Sequence, residues 1–547
     1  MATPGMISSG DATQKSDKRL VVMKNCISRL KKALISQENF ICLFLIVYQF
    51  TMLFPYLQLP PFWDGINFLN YAFLTPFNHY DLAFANYGHP PLFFWLFGSL
   101  FALFGYSNLV AHSVLFIFGA IIVVSFFKIS RMLVDTQTAI ITSAFLVFSP
   151  LFLATVINPN LDIAVLAFLM PSYYFFLKKK YFIYAIFGTC TVMSKESGIL
   201  WICAIWLTFM IFLTMPYFNR SRYERDLKKI LPALFLVSVP LVILGGWMVL
   251  NKRIFGWYIL PRKSPFLSDL NLFHSSFLRS LTQLFIINFT WILLLILIIF
   301  ITTTMVRVGR YDLKSVLKEA RQYLWGWMQE EKVISVLPIL FLFLAYLLVV
   351  APIYDFKPVR YGILVYPFLL LISVVAIQKV LKKELVWTFS LIFIGLLFIQ
   401  NFYSIDMLSN RFSPPNADTG SELEYNTEFT TYVSLEISGF DYLQKNLSGR
   451  KIIFDWWNPL VVIEASHFNE KNESFGYHAD PSWEYVWRWD FFNQPDIHEN
   501  DQYVYLTHKI NEGHYAMEER CNLTEEFYRE AYGKELWIYG IQNCQGS

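Results

Sequence analysis

The sequence predicts an α-helical polytopic membrane protein, about eleven transmembrane helices followed by a small C-terminal extracytoplasmic α/β domain. Three observations predict it. Of the 547 residues, 55% are hydrophobic and only 16% charged, whereas ordinary soluble domains carry about 25% charged residues; the mean hydropathy is +0.43. Apolar blocks of about 20 residues recur along the chain, each long enough to cross a hydrocarbon layer of about 30 Å. From residue 405 onward the composition turns instead to Asp, Glu, Asn and Trp.

The N-terminal tail, residues 1–38, is polar and basic, with Lys15, Lys18, Arg19, Lys24, Arg29, Lys31 and Lys32. By the positive-inside rule it is cytoplasmic. The first apolar block starts near Asn39, too late and too long for a cleaved signal peptide. A first outer loop follows, 59–108. Its segment Pro91–Gly105 is apolar but short for a span, and charge decides its place. If it crosses, Lys128, Arg131 and Lys178–Lys180 fall outside. If it lies along the outer surface, they fall inside, together with Arg220–Lys229, the basic residues of 306–332, and Lys379, Lys382 and Lys383. The second assignment explains every cytoplasmic cluster, so 91–105 is expected at the membrane surface. The spans are then 39–58, 109–127, 136–157, 162–177, 181–197, 199–217, 230–250, 278–304, 333–352, 361–379 and 385–404. Residues 39–404 form the transmembrane part, with the N-terminus cytoplasmic and the C-terminus outside or lumenal, in a bacterial cell membrane or the endoplasmic reticulum.

In 405–547, short strands are expected at Ile452–Trp456, Val461–Ile463, Tyr503–Thr507 and Leu536–Ile541, and helices at Ser434–Leu447 and Thr524–Tyr532. N-x-S/T sequons stand at Asn446, Asn472 and Asn522; they agree with an outside location without requiring it. A fourth, at Asn288, falls in an expected span. Cys521 and Cys544 suit a disulfide if this region is extracytoplasmic; scattered thiols are the alternative. No CxxC or Cys/His cluster suggests zinc.

Chemistry-bearing residues gather near the outer membrane ends. The first outer loop reads PPFWDGINFLNYAFLTPFNHYDLAFANYGHPPL. Asp64, beside Phe62 and Trp63, is either a solvated interfacial acid or a used one. Asp81 follows His79 and Tyr80 at a polar tip. In Tyr87-Gly88-His89-Pro90-Pro91 the prolines fix the entry to the next segment. His89 then stands at the surface as a donor for phosphate, or is incidental to a helix start. In INPNLDIAV, Asp162 opens a span, where a carboxylate favours the helix dipole. In TVMSKESGIL, Lys195 and Glu196 either neutralise each other or leave Lys195 to a phosphate. The loop 251–275 holds Lys252, Arg253, Arg262 and Lys263, cations on the expected outside. Lys357, Arg360 and Tyr361 stand at another outer end. Cations at that depth suit a lipid-linked phosphate, and an acid among them suits a base for an acceptor hydroxyl.

The stretch from Trp63 to Gly198 resembles the GT-C class of membrane glycosyltransferases, especially the protein O-mannosyltransferase-like enzymes and the lipid A aminoarabinose transferases. The cues are the early acid, HPPL at His89–Leu92, FSPLFLA at Phe148–Ala154, the loop acid Asp162 and K-x-x-G at Lys195–Gly198. Arg360-Tyr361 followed by Pro367 is similar to the family's R-Y…P segment. The resemblance implies a polyprenyl- or dolichyl-phosphate sugar donor, a lipid, glycan or protein acceptor, and inverting displacement with the lipid phosphate leaving. Asp64 matches the family's general base. His89 matches a position near the carrier phosphate, and Lys195 and Arg360 match positions on the outer face of the cavity. Gly65 departs from the family's frequent Asp-Glu, so any second acid, for acceptor or divalent metal, falls to Asp81 or Asp162. No cofactor is required otherwise, and no nucleic-acid partner is expected. The alternative class is a transporter or flippase of lipid-linked saccharides, which calls for charged or broken segments near mid-membrane in corresponding halves. The charges here gather at one face instead.

Overall fold

A computed structural model describes residues 37–57, 64–76, 79–80, 89–214, 227–256, 258, 284–308, 331–350, 359–403, 405–412, 521–531 and 534–542, the segments 451–454, 485–487 and 503–507, and scattered residues within 277–282 and 438–446. The helices are α1 Gln37–Leu53, α2 Asp64–Leu74, α3 Leu92–Phe104, α4 Asn108–Leu133, α5 Thr136–Phe148, α6 Pro150–Ile157, α7 Leu161–Leu177 and α8 Tyr181–Ser194, then α9 Gly198–Thr214, α10 Leu227–Phe255, α11 Thr290–Val308, α12 Glu331–Ala345, α13 Tyr366–Val380, α14 Lys383–Gln400 and α15 Met407–Phe412. Within the described residues, Glu38–Tyr56, Asn108–Leu133, Leu231–Phe255 and Lys383–Gln400 are long and apolar enough to cross a membrane, and the pair α5–α6 makes a fifth if counted as one bent span. The other expected spans each contain a shorter apolar helix. The protein is a multi-pass membrane protein.

Helix starts follow local chemistry. A helix leaves its first N–H groups unpaired, and α4, α5 and α7 meet that need with side-chain oxygens. Ser107 Oγ accepts from Val110 N at 3.2 Å, Asp135 Oδ1 from Thr138 N at 2.7 Å, and Asn160 Oδ1 from Ile163 N at 3.1 Å. Helix α3 has 13 residues and a length of about 20 Å, less than a hydrocarbon layer of about 30 Å. It buries Phe93, Phe94, Phe97 and Phe101 and packs on α2.

The expected single span 136–157 is instead bent by 58° between α5 and α6. Pro150 has no N–H and clashes with the preceding turn. The Phe148 carbonyl beside the break accepts from Asn401 Nδ2 at 2.9 Å. The expected span 278–304 is also interrupted. Residues 286–289 form a turn in which Asn288 and Phe289 adopt φ of 54° and 61°, and the continuous helix starts at Thr290. Asp406 holds that turn: its carboxylate accepts from Phe289 N at 2.6 Å, Trp291 Nε1 at 3.2 Å and Ser409 Oγ at 2.7 Å.

The core is aromatic where α7, α9 and α13 meet. Trp201 stacks on Phe368 with centroids 5.2 Å apart, and Tyr173 meets both rings edge-on. Helix α7 packs against α4 and α8, and α8 against α10.

The C-terminal region contains strands β1 Lys451–Phe454, β2 Tyr485–Trp487, β3 Tyr503–Thr507, β4 Asn522–Ala531 and β5 Lys534–Gln542. They form one sheet in the order β2-β1-β3-β5-β4, with β1 parallel to β2 and β3, and β5 antiparallel to β3 and β4. The expected helix at Thr524–Tyr532 is therefore strand β4. Its charges lie on the sheet's edge, where Glu525 and Arg529 are exposed and discourage further pairing; pairing with β5 overrides local propensity. The expected strand Val461–Ile463 lies outside the described residues. Cys521 is disulfide-bonded to a partner outside them.

Candidate active site

Helices α7 and α8 run antiparallel, so the first turn of α7 lies beside the end of α8. The connector Lys195-Glu196-Ser197 leaves α8 with Lys195 in extended conformation, φ −161° and ψ 148°. It closes with Gly198 N donating to the Lys195 carbonyl at 3.0 Å. This explains the K-x-x-G spacing, because a Cβ on Gly198 would come within 2.5 Å of the Thr191 carbonyl oxygen.

Lys195 Nζ donates to both carboxylate oxygens of Asp162, at 2.8 and 3.0 Å, and stands 4.5 Å from the Tyr361 ring centroid. Both members of the pair are buried. Glu196 turns the other way, and its Oε2 lies 2.8 Å from His89 Nδ1. A carboxylate only accepts, so Nδ1 carries the proton and Nε2 is the ring's second polar atom. Phe68 meets the His89 ring edge-on at 5.8 Å. The sequence left open whether Lys195 and Glu196 neutralise each other; each instead takes a partner from another element. Burial opposes both charges. Asp162, Tyr361 and Glu196 outweigh it at Lys195, whose pKa is raised, and His89 with Lys195 outweighs it at Glu196, whose carboxyl is held below its ordinary value.

Around these pairs, Asn160 Nδ2 donates to the carbonyls of Thr155 and Asn158 at 3.2 and 2.9 Å. Ser149 Oγ donates to Tyr366 Oη at 3.1 Å. The first turn of α2 approaches the same loop, since a Cβ on Gly65 would fall 2.6 Å from Asn158 Oδ1 and 2.8 Å from the Pro159 carbonyl oxygen. A glutamate at 65 would not fit there without displacing that loop. Asp64 starts α2, so its backbone stands next to the loop that leads into Asp162.

Of the residues singled out from sequence, His89, Asp162, Lys195 and Tyr361 meet in this one cluster. Arg253 is exposed at the end of α10 and joins neither pair. Asp81, Tyr87 and Arg262, and the side chains of Asp64 and Arg360, lie outside what is described. Sequence reasoning left Glu196 off the site and missed Asn158 and Asn160. The signal for Asn160 was present, an Asn immediately before an apolar helix. Among the described residues no three His, Cys, Asp or Glu side chains gather as a metal site would require.

Residues 88–247 match the family model described as dolichyl-phosphate-mannose-protein mannosyltransferase. The match includes His89, Asp162 and Lys195 and covers less than a third of the chain. No curated protein matches the chain in sequence. ArnT from Cupriavidus metallidurans bound to undecaprenyl phosphate superposes with a TM-score of 0.50 at 12% identity, covering 91% of this chain and 97% of ArnT. Its apo state gives 0.49 at the same identity and coverage. The Archaeoglobus fulgidus oligosaccharyltransferase in the apo form gives 0.43 at 13% identity, covering 87% of this chain and 70% of its own. At such identity the likeness to ArnT establishes the fold.

Proposed function

We propose that this chain is a GT-C membrane glycosyltransferase of the protein mannosyltransferase and aminoarabinose transferase type, acting on a sugar linked to a lipid phosphate, a reading supported by the family-model match and the ArnT-like fold, and that its residues divide the labour as follows. A hexosyl or pentosyl group leaves a polyprenyl- or dolichyl-phosphate carrier for a hydroxyl of a lipid, glycan or protein, on the outer or lumenal face. The hydroxyl oxygen attacks the anomeric carbon from the side opposite the phosphate. The bond to the phosphate oxygen breaks with its electron pair on the phosphate, and the configuration inverts. Asp64 takes the hydroxyl proton.

The observation that carries this reading is the pair of interlocked contacts, Lys195–Asp162 and His89–Glu196, beside the first turn of α2. Lys195 grips both carboxylate oxygens of Asp162 and holds the two helix ends together, so it is a positioning residue first. The Nε2 edge of His89, with Arg253, Arg262 and Arg360, is proposed to hold the carrier phosphate, where charge grows as the bond breaks. Tyr87, Tyr361 and Asp81 are proposed to line the sugar and acceptor. Gly65 stands where the family pattern has its second acid, and the described carboxylates of the cluster, Asp162 and Glu196, are already engaged by Lys195 and His89.

The purified full-length protein, given a panel of polyprenyl- and dolichyl-phosphate sugars, should release lipid phosphate with at least one. Asp64→Asn keeps the size and removes the base. Turnover should fall by about 100- to 10,000-fold while donor binding persists. Wild-type turnover in well-folded Asp64→Asn protein would remove this residue from the mechanism.

A further inference from the structure

At the far end of α7, about 25 Å from Asp162 along the helix, lies a cavity of about 510 Å³ between the start of α1 and the ends of α4 and α7. Its polar lining is Lys128, Arg131, Lys178, Tyr174, Glu38 and Asn39, and its apolar lining includes Leu43, Ile46 and Val124. Arg131 is paired with Glu38. The two lysines have no carboxylate partner among the described residues. Both stand over one ring instead, Lys128 Nζ at 5.7 Å and Lys178 Nζ at 6.0 Å from the Tyr174 centroid. Among the described residues the cavity thus carries two lysines beyond its Arg131–Glu38 pair.

The apolar wall continues onto the outside of the molecule. On α1, Phe40, Leu43, Phe44 and Val47 are all exposed large hydrophobics, as the hydrocarbon-facing side of a helix should be. A ligand that fits has a negatively charged head between the lysines and a hydrocarbon tail along α1. The volume falls within the range of about 300–1,000 Å³ typical of small-molecule sites. We propose that this cavity binds the phosphate headgroup of an anionic phospholipid from the membrane leaflet at that end, a site separate from the sugar-transfer cluster. Basic pockets between transmembrane helices bind such headgroups by charge, and the tail adds burial.

The full-length protein, purified in detergent, is titrated with phosphatidylglycerol or phosphatidylcholine and examined by native mass spectrometry for retained lipid. Phosphatidylglycerol should be retained and phosphatidylcholine not. Lys128→Gln and Lys178→Gln should each weaken retention about fivefold, the equivalent of about 1 kcal/mol for one cation near a membrane surface. The double variant should lose about 25-fold. The arginine replacements Lys128→Arg and Lys178→Arg should retain binding. Lys382→Gln/Lys383→Gln alters two exposed lysines at the start of α14 that do not line the cavity, and it should change nothing. Equal loss in that control would reduce the effect to general surface attraction and overturn the proposal. So would retention of both lipids alike, or an unchanged double variant in protein that remains folded. Displacement of the lipid by millimolar inorganic phosphate, with no contribution from the acyl chains, would assign the site to a soluble anion instead.

Discussion

The two ends of α7 carry similar residues in different circumstances. At its first turn Asp162 is buried and grips a buried Lys195, and a second pair, His89–Glu196, lies alongside. At its last turn Lys178 is exposed and shares Tyr174 with Lys128 beside an open cavity. A charge withdrawn from water must be matched locally, so the first end is a closed set of partners that fixes helix positions. A charge left near water needs no internal partner and remains available to something from outside. The same residue type is structural at one end and receptive at the other, and burial makes the difference.

The sharpest way to break this comparison is to remove a cation from each end. Lys195→Met should destabilise the protein by about 3–5 kcal/mol, because Asp162 is left buried without its partner. Making Asp162→Leu in the same chain should recover much of that loss, and urea or thermal unfolding in detergent would read both. Full loss in the double variant would mean that Lys195 holds more than Asp162. Next in size is Glu196→Gln, at about 1.5–3 kcal/mol for a charged hydrogen bond. Glu196 has a depressed pKa in the folded state, so its contribution is present above the unfolded value of about 4.3 and is lost as pH falls through and below it. The variant should lack this acid limb in a plot of stability against pH. Lys195 has a raised pKa, so its share is full below about pH 10.4 and fades as pH rises further. Gly65→Ala is expected to lower stability by about 1–3 kcal/mol through overpacking against Asn158 and Pro159, and to reduce turnover by shifting Asp64. A neutral result in both assays would separate α2 from the site. Smallest of all, Lys178→Met should change stability by less than about 0.5 kcal/mol; a larger change would mean that this end too is internally matched.

Much of the membrane part was legible because burial in lipid demands long apolar runs, and each expected span does contain an apolar helix. The short helix within 91–105 was legible from the length of its apolar run. The pairing of the site was not. Lys195 and Glu196 are adjacent in sequence, which suggests mutual neutralisation, but Lys195 is extended and successive side chains of extended backbone point to opposite sides. Adjacency therefore sends them to different partners, 33 and 107 residues away. The break in 278–304 was hidden for another reason. Ile286, Ile287 and Phe289 are apolar like the span around them, and the residue that holds the turn, Asp406, comes 117 residues after Phe289. Strand β4 was misread because Glu, Arg and Ala favour helices locally, and only its partner β5 reveals the ladder.

That distant aspartate has a consequence for the order in which the chain can mature. Ribosomes add about 5–20 residues per second, so Asp406 emerges on the order of ten seconds after the turn it holds. Throughout that interval the amide of Phe289 and the indole of Trp291 wait without the acceptor they have in the finished molecule. Helix α11 can be inserted early, but its entry point is fixed only once α14 has been made and the chain has passed beyond it. Asp406 thus works as a latch that closes only after the last long helix, α14, has been made, joining a late segment of the bundle to an earlier one.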